Sequence, residues 1–368
     1  MSPFDPFGYF LKERKYSDLL TEISRGGVKE TLDKLASRKR FGVGISKDDS
    51  GNLELRVTLE KRNKRNLSAT KFAERISKEQ NVKVRTINLG RIQIVPTAQP
   101  ALAMEASYLK PYELFPGSSI SHQSGYAATL GVFAYPTSST RRSDIPLLRG
   151  ISDKPYDPLD KLGFVSSGHA LSLWGRGSSS DVILSPGAPD AFRSLRNSIG
   201  HLYDFTILVP ANEEQGSLYN EADLAFVILN HDINDEGCFG NVVPAPSDPD
   251  RTNITLKSVL NEVDLFDYIN RPVFKIGRTS GLTSGSLSIV ALSGIPIIGA
   301  DRRDYIFTNC ALVESTSADA PFSRPGDSGA VVYTENGIAI GTVVAGNDQN
   351  TIIQPLSRGL RILGLEML

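Results

Sequence analysis

The chain is poor in sulfur, with two cysteines, Cys238 and Cys310, and three methionines among 368 residues. Two thiols build no dense disulfide framework, and no Cys-x-x-Cys pair or His/Cys cluster marks a metal site. No run of eighteen apolar residues is present, so no membrane-spanning helix is expected. The start, Met1-Ser2-Pro3-Phe4-Asp5, carries no apolar stretch of the export type. Together with the scarce cysteines this predicts free thiols in a reducing cytoplasm. Charge of one sign is lacking too, since the formal net charge is −1, which does not suggest nucleic acid as the main partner. The glycine run Gly277-Arg278-Thr279-Ser280-Gly281-Leu282-Thr283-Ser284-Gly285 lacks the Lys-Ser/Thr of a phosphate loop, and no cofactor is expected. Histidine is scarce, with four in the chain, and that scarcity limits the choice of a general base.

What the chain does have is glycine (32), proline (21) and short apolar runs between them, the pattern of a β-rich protein with many turns. Its length predicts two or three folding units. Residues 1–40 read as a helical segment, with Leu19, Leu20, Ile23, Leu32 and Leu35 at helical spacing. Residues 41–98 read as a small α/β domain. Leu53, Leu55, Val57 and Leu59 alternate with polar residues after an Asp48–Asn52 turn, and Ser68 is placed to cap a helix near 69–80. Residues 99–120 form a proline-punctuated linker. From 121 to 368 short apolar runs recur between turns, as in an all-β barrel or sandwich long enough for two units, split near 245–270. The end, Leu356 to Leu368, reads as a terminal helix.

Pro325-Gly326-Asp327-Ser328-Gly329-Ala330 precedes the apolar Val331-Val332-Tyr333. A serine on such a tight turn is a candidate nucleophile. A hydroxyl is a poor nucleophile at neutral pH and needs a base, itself oriented by a carboxylate. His169 ends an apolar run through small residues, Phe164-Val165-Ser166-Ser167-Gly168-His169, which leave room for imidazole and substrate. His122, His201 and His231 sit beside strands or turns and read as structural. For the acid, Asp223 heads Leu224-Ala225-Phe226-Val227-Ile228 and Asp204 heads Phe205-Thr206-Ile207-Leu208, so the residues leave both open. Gly326 lets the backbone turn its N–H outward beside that of Ser328, an arrangement suited to an oxyanion. By themselves Gly-Asp-Ser-Gly residues are also ordinary turn formers.

The order His169, Asp223, Ser328 in a β-rich chain resembles the chymotrypsin-like (trypsin-like) serine proteases. Val165-Ser166-Ser167-Gly168-His169-Ala170, Asp223-Leu224-Ala225 and Gly326-Asp327-Ser328-Gly329 are similar to that family's three motifs. Gly117-Ser118-Ser119-Ile120-Ser121-His122, Thr129-Leu130-Gly131, Ile183-Leu184-Ser185-Pro186-Gly187 and the Gly277–Gly285 run resemble an intracellular bacterial and plant narrow-leaf-type subgroup. The resemblance implies a mainly β fold of two six-stranded antiparallel β-barrels, preceded by a small N-terminal α/β domain and followed by a C-terminal helix. It implies His169, Asp223 and Ser328 as a catalytic triad and the Gly326 and Ser328 amides as the oxyanion hole. It further implies a substrate strand beside Val344, Ala345 and Gly346 and a specificity pocket lined by Phe322, Ser323, Arg324 and residues 343–346. Phe322 stands six residues before Ser328 where an acidic residue would select Arg or Lys; Arg324 either favours an acidic side chain, is simply exposed, or holds Asp327. Asp327 in turn has either an internal cationic partner or a site kept inactive until triggered.

The leading expectation is thus a serine endopeptidase acting on protein or peptide substrates through an acyl-enzyme, latent or regulated, with a regulatory protein at the N-terminal domain as a possible partner. The alternative is a catalytically dormant peptide-binding scaffold. A third reading rests on residues 41–100, where twelve Lys and Arg face six Asp and Glu, but aromatic residues for base stacking are scarce there.

Overall fold

The computed structural model describes residues 41–59, 83–97, 113–137, 162–190, 197–211, 220–230, 240–249, 252–317 and 319–368, with scattered helical positions between 70 and 78. The expected helical segment 1–40, most of the 99–120 linker, His231 and Cys238 lie outside the described residues.

Strands β1 (Val43–Lys47) and β2 (Leu53–Leu59) form a hairpin. Its turn is built by Asp48, whose Oδ1 accepts from the amides of Ser50 and Asn52, both at 2.9 Å. Strand β3 (Val84–Asn88) pairs parallel with β2.

One large sheet gathers β4 (Ser119–His122), β5 (Ala127–Thr129), β6 (Val132–Pro136), β7 (Gly163–Ser166), β8 (Val182–Ser185), β9 (Asn197–Phe205) and β10 (Ala225–Leu229). The short strands β11 (Val242–Pro244), β12 (Asn253–Thr255) and β13 (Ser258–Val259) lead away from it. A second unit follows: β14 (Pro272–Gly277), β15 (Gly281–Ser293), the hairpin β16 (Ile295–Ile298) and β17 (Asp304–Phe307), then β18 (Cys310–Ser315), β19 (Val331–Tyr333), β20 (Ile338–Gly346) and β21 (Asn350–Pro355). Helix α1 (Gly168–Leu171) follows β7, helix α2 (Leu356–Leu363) follows β21, and β22 (Leu365–Met367) ends the chain.

The protein is mainly β. The second unit runs β14-β19-β20-β21-β18-β15 and closes through β14–β15 pairing, a six-stranded barrel. The first differs from the expected closed six-stranded barrel: it is an eight-stranded sheet ordered β22-β6-β7-β10-β9-β8-β4-β5 that curls without closing. The C-terminal strand β22 pairs with β6, so that edge is satisfied by an added strand instead of by closure. The same strand corrects the expectation of a terminal helix over 356–368. Helix α2 stops where Gly364 adopts the left-handed conformation (φ 66°), and the chain then extends along β6.

Strands β1–β3 continue the barrel sheet, because β1 pairs antiparallel with β15. Val43, Ile45, Leu55 and Val57 are buried in one cluster with the barrel residues Val273, Leu287, Val313 and Ile340. A separate cluster joins the two large units: Val132, Val165, Leu224 and Phe226 from the first, Val331, Tyr333 and Ala339 from the second, and Leu356, Leu360 and Leu363 of α2. Each fully buried side chain of this kind contributes roughly 1.5–3 kcal/mol. This shared core therefore holds the two sheets at a set spacing across the cleft between them.

Cys310, on β18, is a buried free thiol, and burial pushes its pKa up to about 12. The thiolate is the reactive form. Iodoacetamide at pH 8 is therefore expected to leave Cys310 unmodified in the native protein and to modify it after denaturation, as peptide mass mapping would read. Modification of Cys310 at equal rates in both states would contradict its burial.

Candidate active site

His169 lies on the single turn of α1 directly after β7, with its side chain buried. Gly168 permits this approach, because a Cβ there would stand 3.0 Å from Asp223 Oδ1 and 3.1 Å from the Leu224 amide. Asp223, 1% exposed, enters just ahead of β10. A carboxylate so buried needs donors, and it has them. Its Oδ1 accepts from the His169 backbone N–H at 2.7 Å, and its Oδ2 lies 2.5 Å from His169 Nδ1. On the other face of the ring, His169 Nε2 lies 3.1 Å from Ser328 Oγ. The structure thus brings His169, Asp223 and Ser328 together. Asp204, the competing carboxylate, is buried on β9 and accepts from the amide of its own neighbour Phe205. His122 is buried against Asp181, and His201 is exposed on β9 beside the Ser180 carbonyl.

Two polar groups absent from the sequence expectations complete the setting. Gln354 on β21 clamps the backbone of Asp223: its Oε1 accepts from the Asp223 N–H, and its Nε2 donates to the Asp223 carbonyl at 2.8 Å and to Thr342 Oγ1 at 3.0 Å. The sole sign in the letters is one amide interrupting Ile352-Ile353-Gln354-Pro355. Lys275 on β14 is fully buried, and its Nζ lies 3.3 Å from Asp327 Oδ2. By period two it falls on the inward face with Val273 and Gly277, so a cation in that strand register had to find a buried partner. Burial lowers the pKa of Lys275, and the charge of Asp327 opposes that shift.

Asp327 accepts further from the amides of Thr279 (2.8 Å), Ser280 (3.2 Å) and Arg324 (2.9 Å), and from the Ser280 hydroxyl. These contacts pin the turn that carries Ser328. Gly326 has φ 101°, open to glycine, and a Cβ there would stand 2.8 Å from Arg278 Nη1. The Thr129 hydroxyl donates to the Gly326 carbonyl at 2.8 Å, the Thr129 amide donates to the Ser328 carbonyl at 2.9 Å, and the Gly329 amide donates to the Val343 carbonyl at 2.9 Å. Those carbonyls are therefore held inward. Arg278 grips Asp190 through Nε and Nη2, and its amide donates to Thr129 Oγ1 at 3.1 Å, fastening the β14–β15 turn to the first sheet.

Ser328 opens onto a cavity of about 540 Å³ lined on one side by Ser323, Arg324 and residues 343–346. Ser323 is held by its hydroxyl against Thr351 Oγ1 at 2.7 Å. The Arg324 side chain is exposed, and the residue holds Asp327 through its backbone: its amide donates to Asp327 Oδ2 and its carbonyl accepts from the Asp327 N–H, both at 2.9 Å. Phe322, expected in the pocket wall, is instead buried in the barrel core, with Lys275 Nζ 5.8 Å from its ring centre. Trp174 stands beside the His169 ring at 5.4 Å and against Tyr305 at 5.0 Å, walling the imidazole on the side of the β16–β17 hairpin. No group of metal-ligating side chains gathers among the described residues.

No protein-family model matches the chain, and no curated protein matches it. Solved structures similar to it include Thermobifida fusca protease A, at 14% identity and a TM-score of 0.41 over 69% of this chain and 99% of that one. A glutamic-acid-specific serine protease is similar at 16% identity and a TM-score of 0.42, over 69% of this chain and 100% of its own. Cellulomonas bogoriensis chymotrypsin is similar at 14% identity and a TM-score of 0.40, over 70% of this chain and 99% of its own.

Proposed function

We propose that the protein is a serine endopeptidase that hydrolyses peptide bonds through an acyl-enzyme on Ser328. The observation that carries this reading is the line Asp223 Oδ2–His169 Nδ1–His169 Nε2–Ser328 Oγ, with steps of 2.5 and 3.1 Å, opening onto a cavity of about 540 Å³. In this reading Asp223 keeps the proton of His169 on Nδ1, so Nε2 is free to take the Ser328 proton as Oγ attacks the carbonyl carbon. The amides of Gly326 and Ser328 receive the oxyanion, a contribution whose loss typically costs about 100- to 1000-fold in rate. The imidazolium then returns its proton to the leaving amine, and water repeats the sequence on the acyl-enzyme. Lys275 supplies the positive charge behind Asp327 within the uncut chain, which supports a Ser328 turn that needs no newly cut N-terminus to form.

Val344, Ala345 and Gly346 are the edge on which an extended peptide would add as a strand. Phe322 lies in the core, and the buried residues lining the cavity include Ser323, Val343, Val344 and Ala345, while Asp319, Arg324 and Asp348 line it from exposed positions, so its buried part supports an uncharged side chain at the cleavage site. Labelling tests the reading: a fluorophosphonate is expected to modify wild type at Ser328 and to leave folded Ser328→Ala unmodified. Equal labelling of both proteins, or of neither, would reject it.

A further inference from the structure

The peptide-binding edge is already taken by the chain itself. Residues 91–97 run through the cleft in extended form. Gln93 faces Gly346 as an antiparallel bridge, its N–H donating to the Gly346 carbonyl at 3.4 Å and its carbonyl accepting from the Gly346 N–H at 3.3 Å. On its other side the segment pairs in parallel with β16: the Ile94 N–H donates to the Ile298 carbonyl at 2.9 Å, and the Ile298 N–H to the Ile92 carbonyl at 3.1 Å. Four residues later, across the cleft, the Thr97 carbonyl accepts from the Ala127 N–H of β5 at 3.2 Å. Thr97 also reaches the Ser328 turn, its Cγ2 standing 3.0 Å from where a Cβ on Gly326 would be.

The two anchors lie on opposite units, Gly346 on the barrel and Ala127 on the curled sheet, so the stretch between them spans the groove onto which Ser328 opens. Gln93, Ile94 and Val95 line the same cavity as Ser328. Ile94 is buried in a cluster with Leu208, Tyr305, Val344 and Ala345, against which Trp174, the neighbour of the His169 ring, also packs. Val95 is 40% exposed at the middle of the crossing and is followed by Pro96, whose fixed φ lowers the entropy cost of holding the segment extended. Backbone pairing at one end, a buried apolar side chain in the cluster against which Trp174 packs, and backbone pairing at the other are the contacts an extended peptide needs here.

We propose that residues 93–97 are a built-in pseudosubstrate: they fill the strand edge of the cleft, and an extended peptide gains Ser328 only when this segment has moved off Gly346. The proposal rests on the peptidase reading above and adds its regulation. A substrate binds with its own affinity reduced by the fraction of molecules whose edge is open. It follows too that what binds the cleft well is extended, with a branched apolar residue where Ile94 sits.

Two readouts separate this from the nucleophile reading. First, Gln93→Pro removes the N–H that pairs with Gly346 while keeping the backbone extended. Labelling of Ser328 by a small fluorophosphonate, which needs no strand edge, is expected to be the same in this variant and in wild type. The kcat/KM for unfolded casein is expected to rise by at least about tenfold. Unchanged casein cleavage in a Gln93→Pro protein that labels like wild type would overturn the proposal. Second, amide exchange at Gly346 is read in Ser328→Ala, where no turnover is involved and the segment is native. Slow exchange with the native segment and fast exchange with Gln93→Pro is the expected result, and fast exchange with the native segment overturns the proposal. Should no protein label, the nucleophile reading falls, and exchange at Gly346 still decides whether the edge is occupied.

Discussion

Alanine at Ser328 or at His169 is expected to lower kcat for peptide hydrolysis by about 10⁶-fold, and the double variant is expected to lose no more than either single one. On the proposed reading the two side chains act as one unit across the 3.1 Å contact between His169 Nε2 and Ser328 Oγ. Without the base the hydroxyl is not activated, and without the hydroxyl the base has nothing to deprotonate. Asp223→Asn should cost less, about 10⁴-fold, because it keeps the shape of the site and changes only which ring nitrogen carries the proton. Steady-state kinetics on a casein substrate, with KM close to that of wild type, would check the series. Losses at Ser328 and His169 that multiplied in the double variant would show that the two do not work on one step.

Lys275→Met is expected to destabilise the fold by roughly 3–5 kcal/mol, the usual cost of removing one partner of a buried ion pair. Asp327 is 0% exposed, and Lys275 is the sole cation within ion-pair distance of it among the described residues. Its other contacts, three amides and a hydroxyl, are neutral. Lys275→Met combined with Asp327→Asn should recover part of that loss, because the uncompensated charge is gone. Urea denaturation of the two variants reads both effects. The single variant should also label more slowly with fluorophosphonate, since Asp327 pins the turn that presents Ser328 and the amide of Gly326. A Lys275→Met protein as stable as wild type would remove Lys275 from that role.

Parts of this molecule were legible in the letters for local reasons. Leu53, Leu55, Val57 and Leu59 announce a strand because alternate side chains of a strand share a face, and β2 spans those residues. The turn at Asp48 follows from a short side chain that bonds its own backbone two and four residues on. Candidates for base and nucleophile could be named because so few histidines exist and because small residues and glycine surround both His169 and Ser328. The choice between Asp223 and Asp204 was different in kind. Both head apolar runs, and only the pairing of β7 with β10, which sets Ala225 opposite Ser166, carries Asp223 to His169.

Amino-acid sequence by itself determined strands such as β2, turns such as that at Asp48 and the stock of reactive groups, since each depends on residues a few positions apart. Tertiary structure alone decided what meets what. Gln354 behind Asp223, Lys275 beneath Asp327 and Gln93 against Gly346 each join residues far apart in the chain. It decided closure too: the second unit became a barrel, while β22 returned to the open first sheet. These outcomes turn on which buried polar group finds a partner and which strand edge is left to pair, and both are settled only when distant segments pack together.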